Sequence, residues 1–430
     1  MENIAQPKSV KRSGLLLKLA MAVTPLAFFI DPTNRLVIYS VKGFEDSTTG
    51  YPVSFLLLPL IMVSAMANIT ERSLVALQFV VMLSALIVFS CIYNGTVEPL
   101  VYGSLWVMPF LWLLYFLTAD LQIGNATLLK IFLYGFIFST GYLCVAGTLE
   151  ILLYGGLLEG GRMSSNLVLP GQYQLYVYMP TIIALTSLIC VGALRAGVPA
   201  FRGALPLILA LTAYALFLAA AREAILTFAV GLCGILLCTT RLRLFLFFVG
   251  SILLLGLIVA FSDQLIAWAA ASKYGAISKF AQVQDADQQF GSRDIAVAQY
   301  WQIFKRNIIL GTGFRSPFLN YFGVPVNFPS AHNFYADTLA WTGVAGSVLV
   351  FGALIWLSAK AVLIFFRSLT MNSTTAPLAR AFAAALLVGL LVSNNINVPM
   401  RQPLLAPVFG LLFYGALFFS RSPRQAGRRQ

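Results

Sequence analysis

Apolar stretches about as long as a bilayer is thick recur along nearly the whole chain, each set off by a few polar, glycine or proline residues. At 1.5 Å of rise per residue, runs of roughly 17 to 25 residues match a hydrocarbon core of ~30 Å. They are too long for outer-membrane barrel strands, which need only ~10 residues. The pattern predicts spans near 13–30, 51–68, 74–93, 100–118, 127–153, 173–193, 204–220, 224–239, 244–262, 333–359, 381–396 and 403–420. The expected fold class is all-α: a polytopic integral membrane protein of about 12 transmembrane helices with N- and C-termini inside. The first run, Leu15 to Ile30, follows Lys8, Lys11 and Arg12, carries Lys18 near its start, and has no small-residue cleavage site after it. It reads as a retained helix rather than a signal peptide.

On the expected outer side most connections are short, apart from 31–50, 154–172 and above all 263–332. The last divides the chain into an N-terminal bundle of about nine spans (1–262), a long outer loop (263–332), and C-terminal spans with a basic tail (333–430). An unstructured loop of that length would be unusual. From Asp294 to Ile308 the apolar residues Ile295, Ala298, Trp301, Phe304 and Ile308 recur near helical spacing, with Asp294, Gln299, Gln302, Lys305 and Arg306 opposite them. This predicts an amphipathic helix lying against the membrane or the bundle. A second helix is expected between Gln264 and Phe280, with Trp268, Tyr274 and Phe280 as interfacial aromatics.

Composition agrees with that layout: 59% of residues are hydrophobic and 10% charged, too few charges to clothe a water-soluble surface. The net charge of +13 is explained by topology. The expected cytoplasmic pieces hold most of the 28 Lys and Arg, including Arg72, Arg195, Arg202, Arg241, Arg243, Arg367, Arg380, Arg421, Arg424, Arg428 and Arg429. Of the acids they hold only Glu2, Glu71 and Asp120. That is the positive-inside distribution, and it faces anionic lipid, so no nucleic-acid partner is implied. The cysteines Cys91, Cys144, Cys190, Cys233 and Cys238 all lie in apolar segments, against a disulfide framework or a zinc site.

Against this background a few polar residues stand out. His332, the only histidine, follows Pro325 and Pro329 and precedes the apolar run Phe334 to Trp356. It is expected at the outer mouth of a helix capped by Ser330, where an imidazole can act as a general base near neutral pH. Position alone leaves a structural role open. Arg222 lies between two spans, on the side where arginine is disfavoured, and has Glu223 beside it as a candidate partner. Arg293 is expected in the first turn of the loop helix, where a guanidinium and free backbone amides would form a phosphate-binding corner. Arg162, Arg35, Arg315 and Arg401 are weaker outer-face candidates. Asp285 and Asp287 have the spacing of a divalent-cation pair, but in a polar loop. Gly311-Thr312-Gly313 reads as a turn, lacking the strand and helix of a nucleotide fingerprint. Asp337, five residues after His332 and about 140° around the helix, cannot form an intrahelical dyad with it; an arginine of another helix is a candidate partner.

The run Ser292-Arg293-Asp294, Trp301, Leu310-Gly311-Thr312-Gly313-Phe314, Ala331-His332-Asn333-Phe334-Tyr335 and Gly343-Val344-Ala345-Gly346 resembles the O-antigen ligase and polymerase superfamily of bacterial inner membranes. In that family an arginine opens a span before the long periplasmic loop, as Arg222 does here. An arginine begins a loop helix, a Gly-x-Gly turn follows, and His-Asn leads into the next helix. The resemblance covers roughly 215–350; the N-terminal half agrees only in helix count. It implies a GT-C-like glycosyltransferase of the Gram-negative inner membrane, with its site facing the periplasm. The donor would be undecaprenyl diphosphate-linked O-antigen and the acceptor lipid A–core oligosaccharide, with inversion and no cofactor or metal. By the same resemblance His332 would be the catalytic base and Arg222 and Arg293 the diphosphate ligands, with Arg162, Arg315, Asn333 and Arg35 as further substrate contacts.

A polymerase typically has two large periplasmic loops and arginines followed eleven positions on by glycine. Here one loop is large, and none of the outer arginines has that glycine. This favours a ligase over a polymerase or a related undecaprenyl-diphosphate-dependent oligosaccharyltransferase. A secondary transporter or lipid flippase shares the layout of spans, but it binds near the bilayer midplane through broken helices and often repeats, whereas the unexplained charges here cluster at the outer interface.

Overall fold

A computed structural model describes residues 71–123, 125–155, 179–197, 205–261, 286–315, 330–371, 373–396 and 405–420, with a few isolated positions between them. All regular elements among the described residues are helices. In chain order they are α1 (Glu71–Asn94), α2 (Glu98–Ile123), α3 (Asn125–Tyr154), α4 (Met179–Arg195), α5 (Leu205–Ala219), α6 (Arg222–Leu236) and α7 (Arg241–Ala260). The loop helix α8 (Ala286–Arg306) follows, then α9 (Phe334–Ser368), α10 (Ala376–Val388) and α11 (Ala406–Phe419). A π-helical turn, Gly389–Ser393, and a last α turn, Asn394–Ile396, extend α10.

Every span expected from 74–93 onward falls on one of these helices. The first two, near 13–30 and 51–68, lie outside the described residues, as does most of the helix expected between Gln264 and Phe280. Among the described residues, five helices, α1, α2, α3, α9 and α10 with its π turn, are long and apolar enough to cross a bilayer on their own; α4, α5 and α11 are shorter apolar helices. The chain is thus a helical membrane protein. Its core is built by α4, α10 and α11, which are buried along nearly their whole lengths. At the perimeter α1 presents Val81, Met82, Val88 and Phe89 outward, and α7 presents Leu246, Ile252 and Leu253. Such apolar outward faces suit contact with lipid.

The helices are knitted differently at the two ends of the bundle. At one end α4 meets α10, where Gly192 lets Ala381 and Pro377 approach so closely that a Cβ would stand 2.2 Å from that of Ala381. There the buried Arg380 donates from Nε to the Ser368 hydroxyl, from Nη2 to the Ser368 carbonyl and from Nη1 to the Ile235 carbonyl. Those carbonyls belong to the last turns of α9 and α6, which leave acceptors unmet and carry the negative end of the helix dipole. One guanidinium thereby closes two helices against a third. Arg367 adds a bond from Nη1 to the Ser420 carbonyl just past α11.

The opposite end, which holds His332, is where helices break. Only Ala220 and Ala221 separate α5 from α6, and Ala220 adopts φ 47°. The helix α9, expected to end near 359, runs on to Ser368 and is interrupted at Gly343 (φ 58°, ψ −163°). The stretch from 344 to 368 would measure about 37 Å at 1.5 Å per residue, enough to span a bilayer without the turns before the break.

The loop helix departs from expectation in two respects. It begins at Ala286, so Arg293 lies about two turns inside it rather than in its first turn. Its buried stripe is Ala296, Tyr300 and Ile303, packed toward α9, while Ile295, Trp301 and Ile308 of the expected apolar face remain exposed. The residues Ala296, Tyr300 and Ile303 fall at i, i+4 and i+7, an equally good helical stripe, and the docking geometry selected between the two.

Candidate functional site

The site is assembled around the broken helix. In an unbroken α9 the amides of Val344 and Ala345 would bond the carbonyls of Ala340 and Trp341. Instead Val344 and Ala345 donate to the Ile308 and Ile309 carbonyls (2.8 and 3.1 Å), while the Ala340 and Trp341 carbonyls accept from Thr312 and Phe314 (2.9 and 2.8 Å). Two ladder bonds within the helix are exchanged for four to the turn that follows α8. Such contact needs bare backbone on both sides: a Cβ on Gly311 would lie 2.3 Å from the Ala340 carbonyl oxygen, and one on Gly343 2.3 Å from that of Ile309. The Gly-Thr-Gly segment is a turn, as expected, and its partner is the Gly343 break. Phe314, at φ 59°, enters a buried cluster with Trp106, and Trp341 packs on both Trp106 and Tyr102 of α2. Trp106 donates its Nε1 hydrogen to Thr338 Oγ1 at 3.1 Å, fixing the first segment of α9 against α2.

His332 stands just before that segment, half-buried, with φ 51°. A left-handed backbone is uncommon for residues other than glycine, and histidine is among the more tolerant types. Three side chains hold this turn. Asp337, fully buried, accepts from the Ser330 hydroxyl at 2.9 Å and from the Ala331 amide at 2.6 Å. The Ser330 hydroxyl oxygen in turn accepts from the His332 amide at 3.0 Å. Asn333 is the N-cap of α9, its Oδ1 accepting from the Tyr335 and Ala336 amides at 3.0 Å each. This corrects the expected cap: Ser330 stabilises the turn before the helix and Asn333 the helix itself. Asp337 thus takes two of its bonds from the turn that precedes its own helix.

The same residues tie the turn to α10. Asn333 Nδ2 donates to the Asn395 carbonyl at 3.2 Å, and the Tyr335 hydroxyl donates to the Leu390 carbonyl, within the π turn, at 2.8 Å. A π turn widens the helical ladder and frees a carbonyl for such a partner. From α10 the connection continues to α6 through the buried hydroxyl pair Thr227 and Ser393, 2.8 Å apart. Glu223, next to Arg222, accepts from the Thr181 hydroxyl of α4 at 3.1 Å. Arg222 is the first residue of α6 and partly exposed, at the same end of the bundle as His332.

Hydrogen bonds therefore run from the start of α9, just after His332, to the end of α10, from there to α6, and from Glu223 beside Arg222 to α4. Arg315 lies by the start of α2, where its Nε is 3.1 Å from Glu98 Oε2 in a partly exposed ion pair. Arg293 is placed only by the backbone of α8, away from the helix start, so the expected corner of free amides does not adjoin it. Arg162, Arg35, Arg401 and Asp285 lie outside the described residues. Sequence reading missed the contribution of α10. The run Ser393-Asn394-Asn395 at the end of an apolar stretch was the available signal.

The arrangement defines a helical membrane protein with a polar site at one end of its bundle. Residues 207–351 match the family described as O-antigen ligase. The match takes in Arg222, the loop helix, the glycine pair and the His332 turn. No curated protein matches the chain.

Proposed function

We propose that the protein is an O-antigen ligase, transferring polysaccharide from undecaprenyl diphosphate to the lipid A–core oligosaccharide on the periplasmic face of a Gram-negative inner membrane. The observation that carries this reading is the family domain over 207–351, within which Arg222, Arg293 and His332 all fall. The placement of Arg222 and His332 at helix starts on the same end of the bundle supports it. In the same reading about twelve spans cross the membrane, both termini are cytoplasmic, and the end with Arg195, Arg367 and Arg380 faces the cytoplasm, in keeping with the positive-inside rule.

The chemistry follows from the groups available. An acceptor hydroxyl attacks the anomeric carbon from the face opposite the diphosphate, forming the new glycosidic bond with inversion. The bond from the anomeric carbon to the diphosphate oxygen breaks, and its electron pair leaves with undecaprenyl diphosphate. The hydroxyl proton passes to the His332 imidazole, a base suited to neutral pH. Arg222 and Arg293 bind the diphosphate and stabilise the charge that develops on it. Arg162 and Arg35 are further contacts in this scheme, and Arg315 would contribute only on leaving Glu98. Asn333 acts through the cap it forms on α9. No metal or cofactor is required.

Reconstituted protein supplied with the lipid-linked glycan and lipid A–core is expected to form a glycosidic product, in excess EDTA as well as without it. Movement of the lipid across the bilayer with no new product would overturn the reading in favour of a transporter, and restoration of lost activity by Mg²⁺ or Mn²⁺ would overturn metal independence. Product formation with a second lipid-linked glycan as acceptor, and not with lipid A–core, would make it a polymerase. The His332→Ala variant is expected to insert and bind donor lipid while losing at least about 100-fold in turnover.

A further inference from the structure

We propose that Asp337 is a positioning residue of this site, acting through the backbone of the turn that presents His332. The inference rests on the ligase reading for its activity arm and on geometry for everything else. Asp337 is one turn inside α9 and has no exposed surface. A carboxylate withdrawn from water is costly unless its oxygens accept strong hydrogen bonds. Here both oxygens are engaged by the residues just before His332: Oδ2 by the Ser330 hydroxyl and Oδ1 by the Ala331 amide. Ser330 relays the constraint one step further, since its oxygen accepts the His332 amide. These three bonds close a ring from the body of α9 back to the turn, and within it His332 takes the left-handed conformation that side chains seldom adopt.

A free chain would leave that conformation for an extended or right-handed one. Either change would swing the imidazole away from where the tethered turn holds it. Proton transfer tolerates little displacement, and a shift of about 1 Å can cost on the order of 100-fold in rate. Asp337 therefore affects catalysis without needing to meet the substrate. It works through two acceptor positions aimed at one loop.

The test compares Asp337→Asn with Ser330→Ala and their double variant, each in reconstituted form. Asparagine keeps one acceptor and replaces the other by a donor, leaving the Ser330 hydroxyl hydrogen without its acceptor. Turnover is expected to fall about tenfold or more in each single variant, with donor KM within about twofold of wild type. The double variant is expected to lose no more than the worse single one, because both act through the same ring. Hydrogen exchange at the Ala331 and His332 amides is expected to accelerate, with that of Trp106 and the remainder of α9 unchanged. Wild-type turnover in Asp337→Asn, while His332→Ala is inactive, would overturn the positioning role and leave the ligase reading standing. Additive losses in the double variant would likewise overturn it by showing that Asp337 and Ser330 do not act through one ring. Absence of ligation by the wild-type protein would refute the parent reading, and the exchange rates would still decide whether Asp337 holds the turn. Should Asp337→Asn fail to insert, Ser330→Ala opens the same ring from the loop side, and unchanged exchange and turnover there would refute the proposal.

Discussion

The two ends of this bundle solve the same problem, what to do with the polar backbone where helices stop, in opposite ways. At the Arg380 end a single guanidinium supplies donors to the closing turns of α6 and α9 and leaves the helices regular up to their last residue. At the His332 end the helices are interrupted instead: α5 and α6 by a left-handed Ala220, α9 by Gly343, and α10 by a π turn. The backbone groups set free there are taken up by other segments, so each break becomes a joint between elements distant in sequence. Regular ends make a rigid base. Broken ends create positions from which side chains such as Arg222 and His332 can face outward.

That contrast can be broken most severely at Gly343. Substitution by Ala would force a side chain into a backbone region open essentially only to glycine, at a cost on the order of 1–3 kcal/mol, and would place a Cβ 2.3 Å from the Ile309 carbonyl oxygen and 2.5 Å from the Leu310 nitrogen, both backbone atoms. Loss of the docked turn is expected, seen as proteolytic cleavage near 308–314 and turnover below detection. A helix that merely continues unbroken with full activity would show the joint to be dispensable. Next in size is Arg380→Leu, which leaves two carbonyls and a hydroxyl without their donor and should cost about 2–4 kcal/mol. Its signature is a lower unfolding temperature in detergent with near-normal turnover in the surviving protein; a selective loss of turnover would show that the two ends are coupled. The smallest effect is expected at the rim of the broken end, where Arg315→Gln removes a partly exposed ion pair with Glu98. Such pairs contribute about 0–1 kcal/mol, so stability should hardly move. A large fall in donor affinity in that variant, measured by titration of the lipid-linked glycan, would promote Arg315 from a loop tether to a substrate contact.

How much of this was legible follows from which forces are local. The apolar helices from α1 onward could be read because burying a turn of helix in lipid depends on the residues within that turn. Arg222 was conspicuous because a cation beside apolar runs is rare, and the Gly-Thr-Gly segment was legible as a turn. Its partner was not, since the carbonyls it bonds lie nearly thirty residues later and are freed only if α9 breaks. The exposed face of α8 was misassigned because two stripes, Ile295–Trp301–Ile308 and Ala296–Tyr300–Ile303, satisfy the same helical period. Ser330 was expected to cap α9, and Asn333 does so, because capping depends on backbone angles that residue type only biases.

The sequence by itself determined that this chain is a helical membrane protein, where its apolar helices fall from α1 onward, and that its 207–351 segment matches the O-antigen ligase family. Those properties rest on hydrophobic length and on residue order, both of which are local. The tertiary structure alone decided that α10 holds the His332 turn through Asn395 and the π turn, that α9 yields two of its own bonds to a loop, and that Asp337 faces backward onto Ser330 and Ala331. Each depends on hydrogen-bond partners brought together by packing, and a donor or acceptor in a sequence does not name its partner.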